Sequence, residues 1–298
     1  MYDLIIIGAG AGGLTAALFA ARYKLNALVL SKDIGGLSLE ASEIENYPGF
    51  ISVSGAELMK QFSKQVDALG VEIRQEEVTR IEKKNNFVLK TDKKSYDAKS
   101  IILAIGTKRR TLNIEGEERF LGKGISYCAN CDAPLFKNKI VAVVGGSDAA
   151  AMSALLLAEY AKKVYIVYRK SELRADPITV EKIKKSKKIE AIYNANVANI
   201  SGKDFLESVS LDNEKALEID GLFIEIGATP SLALTKPLGL NTDSLGYIAA
   251  NERMETNVEG VFAVGDIVKK DLRQIITACA DGAIAALYAY KYIKQIKK

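Results

Sequence analysis

Twice in this chain a short apolar strand runs into a glycine-rich turn and then an alanine-rich helix. No other feature limits the possible folds as much. The first copy is Asp3 to Ile7, then Gly8-Ala9-Gly10-Ala11-Gly12-Gly13, then a helical stretch to about Tyr23. An apolar run bounded by glycine is the mark of a strand buried in a parallel sheet. At such a turn Gly8 permits the tight bend, Gly10 lets a pyrophosphate approach the backbone, and Gly13 lets helix and strand pack closely. The helix amides and dipole then face the phosphates. Asn26 to Leu30 reads as the next strand, with Ser31 and Asp33 near the place where an acid would hold a ribose.

The second copy is Lys139 to Val144, then Gly145-Gly146-Ser147-Asp148-Ala149-Ala150, then a helix through about Tyr160. Its next strand, Lys163 to Val167, ends in Tyr168-Arg169-Lys170, with Arg174 beyond. A basic cluster stands where NAD-binding folds favour an acid, and it suits a 2′-phosphate. Two such units imply an α/β fold with two Rossmann-like dinucleotide-binding domains, the second inserted into the first. The expected spans are 1–110 and 241–298 for the first domain and 111–240 for the insert, a division that 298 residues can fill.

Between the two units lies Cys128-Ala129-Asn130-Cys131-Asp132. Two thiols at this spacing can close into a disulfide and reopen, and beside a strand–helix–strand pattern they read as a redox pair. Four other readings stand beside this one. A zinc site wants four ligands, and the chain offers one more cysteine, Cys279, and no histidine. A structural disulfide, a redox role for one cysteine alone, and two cysteines packed as small apolar residues are the others. The absence of histidine also removes His-based triads and the commonest general base. Acid–base work falls to Asp, Glu, Lys, Tyr or Cys, which makes Asp132 a candidate general acid. A plain helix N-cap is its structural reading.

A net charge of +4 is too mild for nucleic-acid binding. Apolar runs are too short to span a membrane, and Asp281 interrupts the apolar C-terminal helix. With no basic-then-apolar leader before the first strand, a cytoplasmic protein is expected. Gly35-Gly36-Leu37 and Glu45-Asn46-Tyr47-Pro48-Gly49-Phe50 read as loops. Helices are predicted at about Gly55 to Leu69 and from about Ile275 onward, and Val261 to Val264 is a strand that ends in Gly265-Asp266.

Taken together, the first glycine turn, the segment Glu45 to Phe50, Cys128 to Asp132, and Gly265-Asp266 with Arg273-Gln274 resemble the low-molecular-weight flavin-dependent thioredoxin reductases over nearly the whole chain. The resemblance implies an FAD-binding domain made of the first and last segments, and an inserted NADPH-binding domain that carries the disulfide. It assigns FAD contacts to Gly8, Gly10, Gly13, Asn46, Gly265, Asp266 and Gln274, and nucleotide contacts to Gly145, Arg169, Lys170 and Arg174. Cys128, Cys131 and Asp132 become the catalytic set, with Cys131 the sulfur nearer the flavin. A thioredoxin-like or glutaredoxin-like protein is the expected partner, a homodimer the expected assembly, and no metal is expected. Because disulfide and nucleotide would share one domain and one flavin, rotation is expected about crossings near Lys108–Thr111 and Pro237–Thr242.

Several positions depart from the family pattern. Ser147 stands where a third glycine is usual, Met152 and Ser153 where paired glutamates are usual, and Tyr168-Arg169-Lys170 where His-Arg-Arg is usual. Reduced deazaflavin or ferredoxin is therefore an alternative electron donor. Two other functions share the scaffold: a ferredoxin–NADP reductase, whose relatives lack the CxxC, and a non-catalytic flavoprotein that senses redox state.

Overall fold

The computed structural model describes residues 1–41, 44–230 and 233–296. The chain divides into two compact units, Met1–Lys108 with Thr229–Lys298, and Arg109–Ala228. In chain order the first unit opens with β1 (Tyr2–Ala9), α1 (Ala11–Arg22), β2 (Ala27–Ile34), α2 (Gly55–Ala68), β3 (Glu72–Gln75), β4 (Val78–Lys83), β5 (Phe87–Thr91) and β6 (Ser95–Leu103). The crossing strand β7 (Thr107–Arg109) leads into the second unit. There follow β8 (Ile125–Ser126), α3 (Ala129–Asp132), β9 (Ile140–Val144), α4 (Asp148–Tyr160), β10 (Lys163–Tyr168), α5 (Pro177–Lys185) and β11 (Ile189–Tyr193). Next come β12 (Val197–Ser201), β13 (Ser208–Leu211), β14 (Ala216–Glu218) and β15 (Gly221–Ile224). Strand β16 (Ala228–Pro230) returns the chain, which ends with β17 (Val261–Ala263) and α6 (Ile275–Ile296).

In the first unit the sheet order is β3-β2-β1-β6-β5-β4, and β17 also pairs with β6. Strands β1, β2, β3, β6 and β17 are parallel, while β4 and β5 form an antiparallel extension. Successive side chains of β1 point to opposite faces. Leu4 and Ile6 enter a core with α1, α2 and α6, and Ile5 and Ile7 enter the core on the other face. All four are buried, which is why this strand is continuously apolar.

The second unit has the parallel order β11-β10-β9-β15-β8, with an antiparallel sheet β12-β13-β14 on one face. On the other face Val141, Val143 and Phe223 pack with Ala150, Ala151, Ala154 and Leu157 of α4. The crossings fall at 108/109 and 228/229, and the second comes earlier in the chain than the expected residue 240. Leu234, Leu238, Leu240 and Ile248 belong to the first unit's core beside Ile5 and Ile7, so this segment packs with the strands on which the chain began. Among the described residues no helix is long and apolar enough to cross a membrane.

Small residues let α1 and α6 approach backbone to backbone. A Cβ on Gly282 would lie 2.2 Å from the Gly12 carbonyl oxygen and 3.0 Å from the Ala16 nitrogen. Gly282→Ala would gain about 1 kcal/mol in helix propensity, yet the helices must separate to admit the methyl group. A net loss of roughly 1–3 kcal/mol is expected, the scale of overpacking. Urea unfolding measures it, and an unchanged midpoint would show that the two helices do not need this contact.

Candidate functional site

The first turn is built by contacts that only glycine allows. Gly8 has φ 103°, and a Cβ there would lie 2.3 Å from the Ala104 carbonyl oxygen. A Cβ on Gly13 would lie 1.9 Å from the Gly8 carbonyl oxygen, so this position serves the packing of α1 on β1. Gly10 differs. Its φ is −77°, which any residue adopts, and the nearest atom to an added Cβ is the Gly35 carbonyl oxygen at 3.9 Å. The space beside Gly10 is open, as a turn that receives a pyrophosphate requires. Across it, the Asp33 carboxylate accepts from the Gly36 amide at 3.1 Å. Strand β2 runs on to Ile34, so Ser31 lies within it, and its hydroxyl accepts from the Ala9 amide at 3.0 Å. At the position where an acid would hold a ribose, this side chain braces the glycine turn.

Two residues far apart in sequence meet near the start of α6. Asn46 Nδ2 donates to Gln274 Oε1 at 3.3 Å. The Gly265-Asp266 turn is held by side chains from its own end of the chain. The Asp281 carboxylate accepts from the Gly265 amide at 2.9 Å and pairs with Lys270. Arg273 donates to the carbonyl oxygens of Asp266 and Val268 and lies 3.8 Å over the Tyr247 ring. In the sequence alone, Asp281 is legible only as a break in an apolar helix. A lone acid at that point of an apolar helix was the signal for this clasp. Burial pushes the Asp266 carboxyl up, opposed by Lys270 and Arg273 and reinforced by Asp281. Cys279 is buried and free, and the Tyr47 hydroxyl donates to its sulfur at 3.9 Å. Burial raises its thiol pKa, as suits a packing residue.

In the second unit Cys128 and Cys131 are joined in a disulfide. Cys128 is half-buried and Cys131 exposed. Cys128 is the N-cap of α3, its sulfur accepting from the Cys131 amide at 3.2 Å. The Ser126 hydroxyl accepts from the Cys128 amide at 2.9 Å. One residue earlier, Tyr127 donates to the buried Glu117 carboxylate, which also accepts from the amides of Leu112 and Asn113 at 2.9 and 2.8 Å. Burial, then Glu117, pushes the Tyr127 phenol up. The chain entering the disulfide is thus tied down on its N-terminal side. Asp132 is half-buried, and its side chain makes no capping bond to the turn Ala133–Phe136 that it precedes.

The second glycine turn follows β9. Gly145 has φ 145°, and a Cβ there would lie 2.2 Å from the Glu225 carbonyl oxygen. A Cβ on Gly146 would strike the Tyr168 ring at 2.4 Å. Arg169, Lys170 and Arg174 are exposed at the end of β10 and just beyond. Arg174 is tied to the turn: its amide donates to the Gly146 carbonyl at 2.7 Å, and its Nε donates to the Tyr168 hydroxyl at 2.9 Å.

A disulfide on one dinucleotide-type unit, inserted into a second such unit, defines a pyridine nucleotide-disulphide oxidoreductase. The profile of that family matches residues 2–282. Thioredoxin reductase of Treponema pallidum is 41% identical over 304 residues, covering 99% of this chain and 98% of its own length. A crystal structure of Lactococcus lactis thioredoxin reductase matches with a TM-score of 0.96 at 38% identity, over 99% of this chain and 100% of that one. A crystal structure of T. acidophilum thioredoxin reductase matches with a TM-score of 0.93 at 36% identity, over 99% of each chain. The chain belongs to the thioredoxin reductase family, a group of flavin-dependent disulfide oxidoreductases.

Two expected outcomes follow from the first unit. Gly10→Val should fold, because the protein leaves room for the side chain, and should emerge without bound flavin. The visible spectrum of the purified protein decides, and full flavin occupancy would remove Gly10 from the pyrophosphate site. The second concerns Asp266. A carboxyl whose folded pKa exceeds its unfolded one binds its proton more tightly when folded. Stability is therefore lost as pH rises from the ordinary carboxylate range through the raised value. In flavin-free protein, Asp266→Asn should raise the unfolding temperature at about pH 7 and change it little at a pH well below the ordinary carboxylate range. An equal gain at both pH values would separate the effect from the charge.

Proposed function

We propose that this chain passes electrons from NADPH, through FAD in the first unit, to the Cys128–Cys131 disulfide, and that the dithiol reduces a thioredoxin-type protein. The observation that carries the reading is the disulfide itself, held where the chain enters it, on a nucleotide-type unit, with Cys131 exposed. FAD when bound supplies the two-electron relay between a reduced nicotinamide and a disulfide. The open space beside Gly10, the Asn46–Gln274 contact and the clasped Gly265-Asp266 turn suit it. Asp266 is the candidate for its ribityl chain.

Once reduced, the dithiol acts by thiol–disulfide exchange. One thiol loses its proton, and its thiolate attacks a partner sulfur, forming a mixed disulfide and releasing the other partner sulfur as a thiolate. The second cysteine then displaces the bound partner sulfur, and the Cys128–Cys131 disulfide re-forms. The Cys131 amide aimed at the Cys128 sulfur favours negative charge there. Asp132, half-buried next to Cys131, protonates the departing thiolate, in a chain that has no histidine for the task. The exposed cluster Arg169, Lys170 and Arg174 binds the 2′-phosphate of NADPH, with Gly145 at the pyrophosphate.

The test is reduction of a thioredoxin disulfide by the flavin-loaded protein, with NADPH, NADH, reduced deazaflavin and ferredoxin supplied in turn. Cys128→Ser and Cys131→Ser should each abolish thioredoxin reduction while flavin occupancy stays full. Turnover by either variant would break the assignment of a disulfide mechanism. Replacing Arg169 and Arg174 together by alanine should raise KM for NADPH strongly and that for NADH little. Charge-assisted hydrogen bonds contribute roughly 1.5–3 kcal/mol each. Equal use of both nucleotides by the unmodified protein would remove the cluster's role, and rates with deazaflavin or ferredoxin alone would reassign the donor.

A further inference from the structure

The basic cluster and the second glycine turn account for only half of a dinucleotide. In this unit β10 and β15 lie on either side of β9. A ligand at such a switch point lies across the carboxyl ends of the strands, its pyrophosphate at the turn after the central one. Arg169, Lys170 and Arg174 follow β10, so the phosphorylated adenosine half belongs on that side. The other half then runs over the end of β15.

The residue there is Glu225, directly after β15. Its backbone abuts the turn, since a Cβ on Gly145 would lie 2.2 Å from its carbonyl oxygen. Its side chain is 10% exposed and fixed from two directions. One carboxylate oxygen accepts from the Ser153 hydroxyl at 3.0 Å, and the other accepts from Arg109 Nη1 at 3.0 Å. Between Asp148 and Glu159 helix α4 has no charged side chain, so the acid beside Ser153 is brought by the strand end. Each carboxylate oxygen can accept two hydrogen bonds. One position on each is taken within the protein, and one on each remains for a donor. Ribose hydroxyls and a carboxamide are the donors that a nicotinamide nucleoside presents.

We propose that Glu225, held by Ser153 and Arg109, binds the nicotinamide half of the dinucleotide, an inference that rests on NADPH being the electron donor. The two bonds fix the carboxylate before the ligand arrives, so little side-chain ordering remains to be done on binding. Arg109 also balances its charge.

Calorimetry on the flavin-loaded protein with NADP⁺ and with 2′,5′-ADP, which lacks the nicotinamide half, tests it. Glu225→Gln should weaken NADP⁺ binding roughly tenfold or more and leave 2′,5′-ADP binding unchanged. Ser153→Ala should do the same to a smaller degree. Unchanged 2′,5′-ADP binding also reports that the variant is folded. If Glu225→Gln loses both ligands, Glu225→Asp decides: selective loss of NADP⁺ supports the inference, and parallel loss overturns it. Unchanged NADP⁺ affinity in Glu225→Gln overturns it as well. Failure of the unmodified protein to bind either compound would refute the NADPH reading itself and this inference with it.

Discussion

Backbone approach at glycine is the constraint on which the first unit depends. Gly13 brings α1 onto β1 so closely that any side chain would meet the Gly8 carbonyl at 1.9 Å, and a Cβ on Gly282 of α6 would lie 2.2 Å from the Gly12 carbonyl of α1. These contacts place the start of α1 beside the end of β1, and they hold α6 against α1. Two segments of the unit separated by the whole insert therefore share one core. Gly10, between them, has no such neighbour. Within one turn some glycines are required by the protein and one leaves space for something else.

Charge is used differently in the two units. In the first, Asp281, Lys270 and Arg273 hold the Gly265-Asp266 turn, and Asp266 itself stays buried enough for its carboxyl to be raised. The acid is kept in place at a cost in stability, which is common where a ligand site takes precedence. In the second unit Arg169, Lys170 and Arg174 are exposed at one strand end, and Glu225 is almost enclosed at another. Exposed cations cost little and can meet a phosphate. An enclosed carboxylate must be paired, and Arg109 and Ser153 do so.

The turn that carries the disulfide depends on its surroundings more than on its own length. Helix α3 is a single turn, too short to be stable alone. Ala129, Ala133 and Phe136 anchor it to the core beneath α4, while the Tyr127–Glu117 and Ser126–Cys128 bonds hold the chain entering it. The disulfide can therefore open and close on a fixed support, which suits the chemistry of a disulfide oxidoreductase.

Short apolar runs with glycine turns, the Cys128–Cys131 pair, and the segments Glu45 to Phe50, Gly265-Asp266 and Arg273-Gln274 were enough to read two Rossmann-like units and the family. Each of these rests on local rules: a strand buried on both faces must be apolar, and a tight turn before a helix must have glycine. What needed the tertiary structure depends on residues distant in sequence. The meeting of Asn46 with Gln274 spans the insert. The clasp of Asp281 on Gly265 and the bonds of Ser153 and Arg109 to Glu225 join residues that no local pattern links. The return crossing falls at 228/229, just past Gly227, and Leu234, Leu238, Leu240 and Ile248 beyond it pack into the first unit's core. Ser31 shows the difference at one position: the sequence placed it near a ribose, and only the packed structure turned its hydroxyl to the Ala9 amide. Local sequence determines which backbone shapes are possible. Which side chains face one another across them is decided only when the sheets and helices close on a shared core.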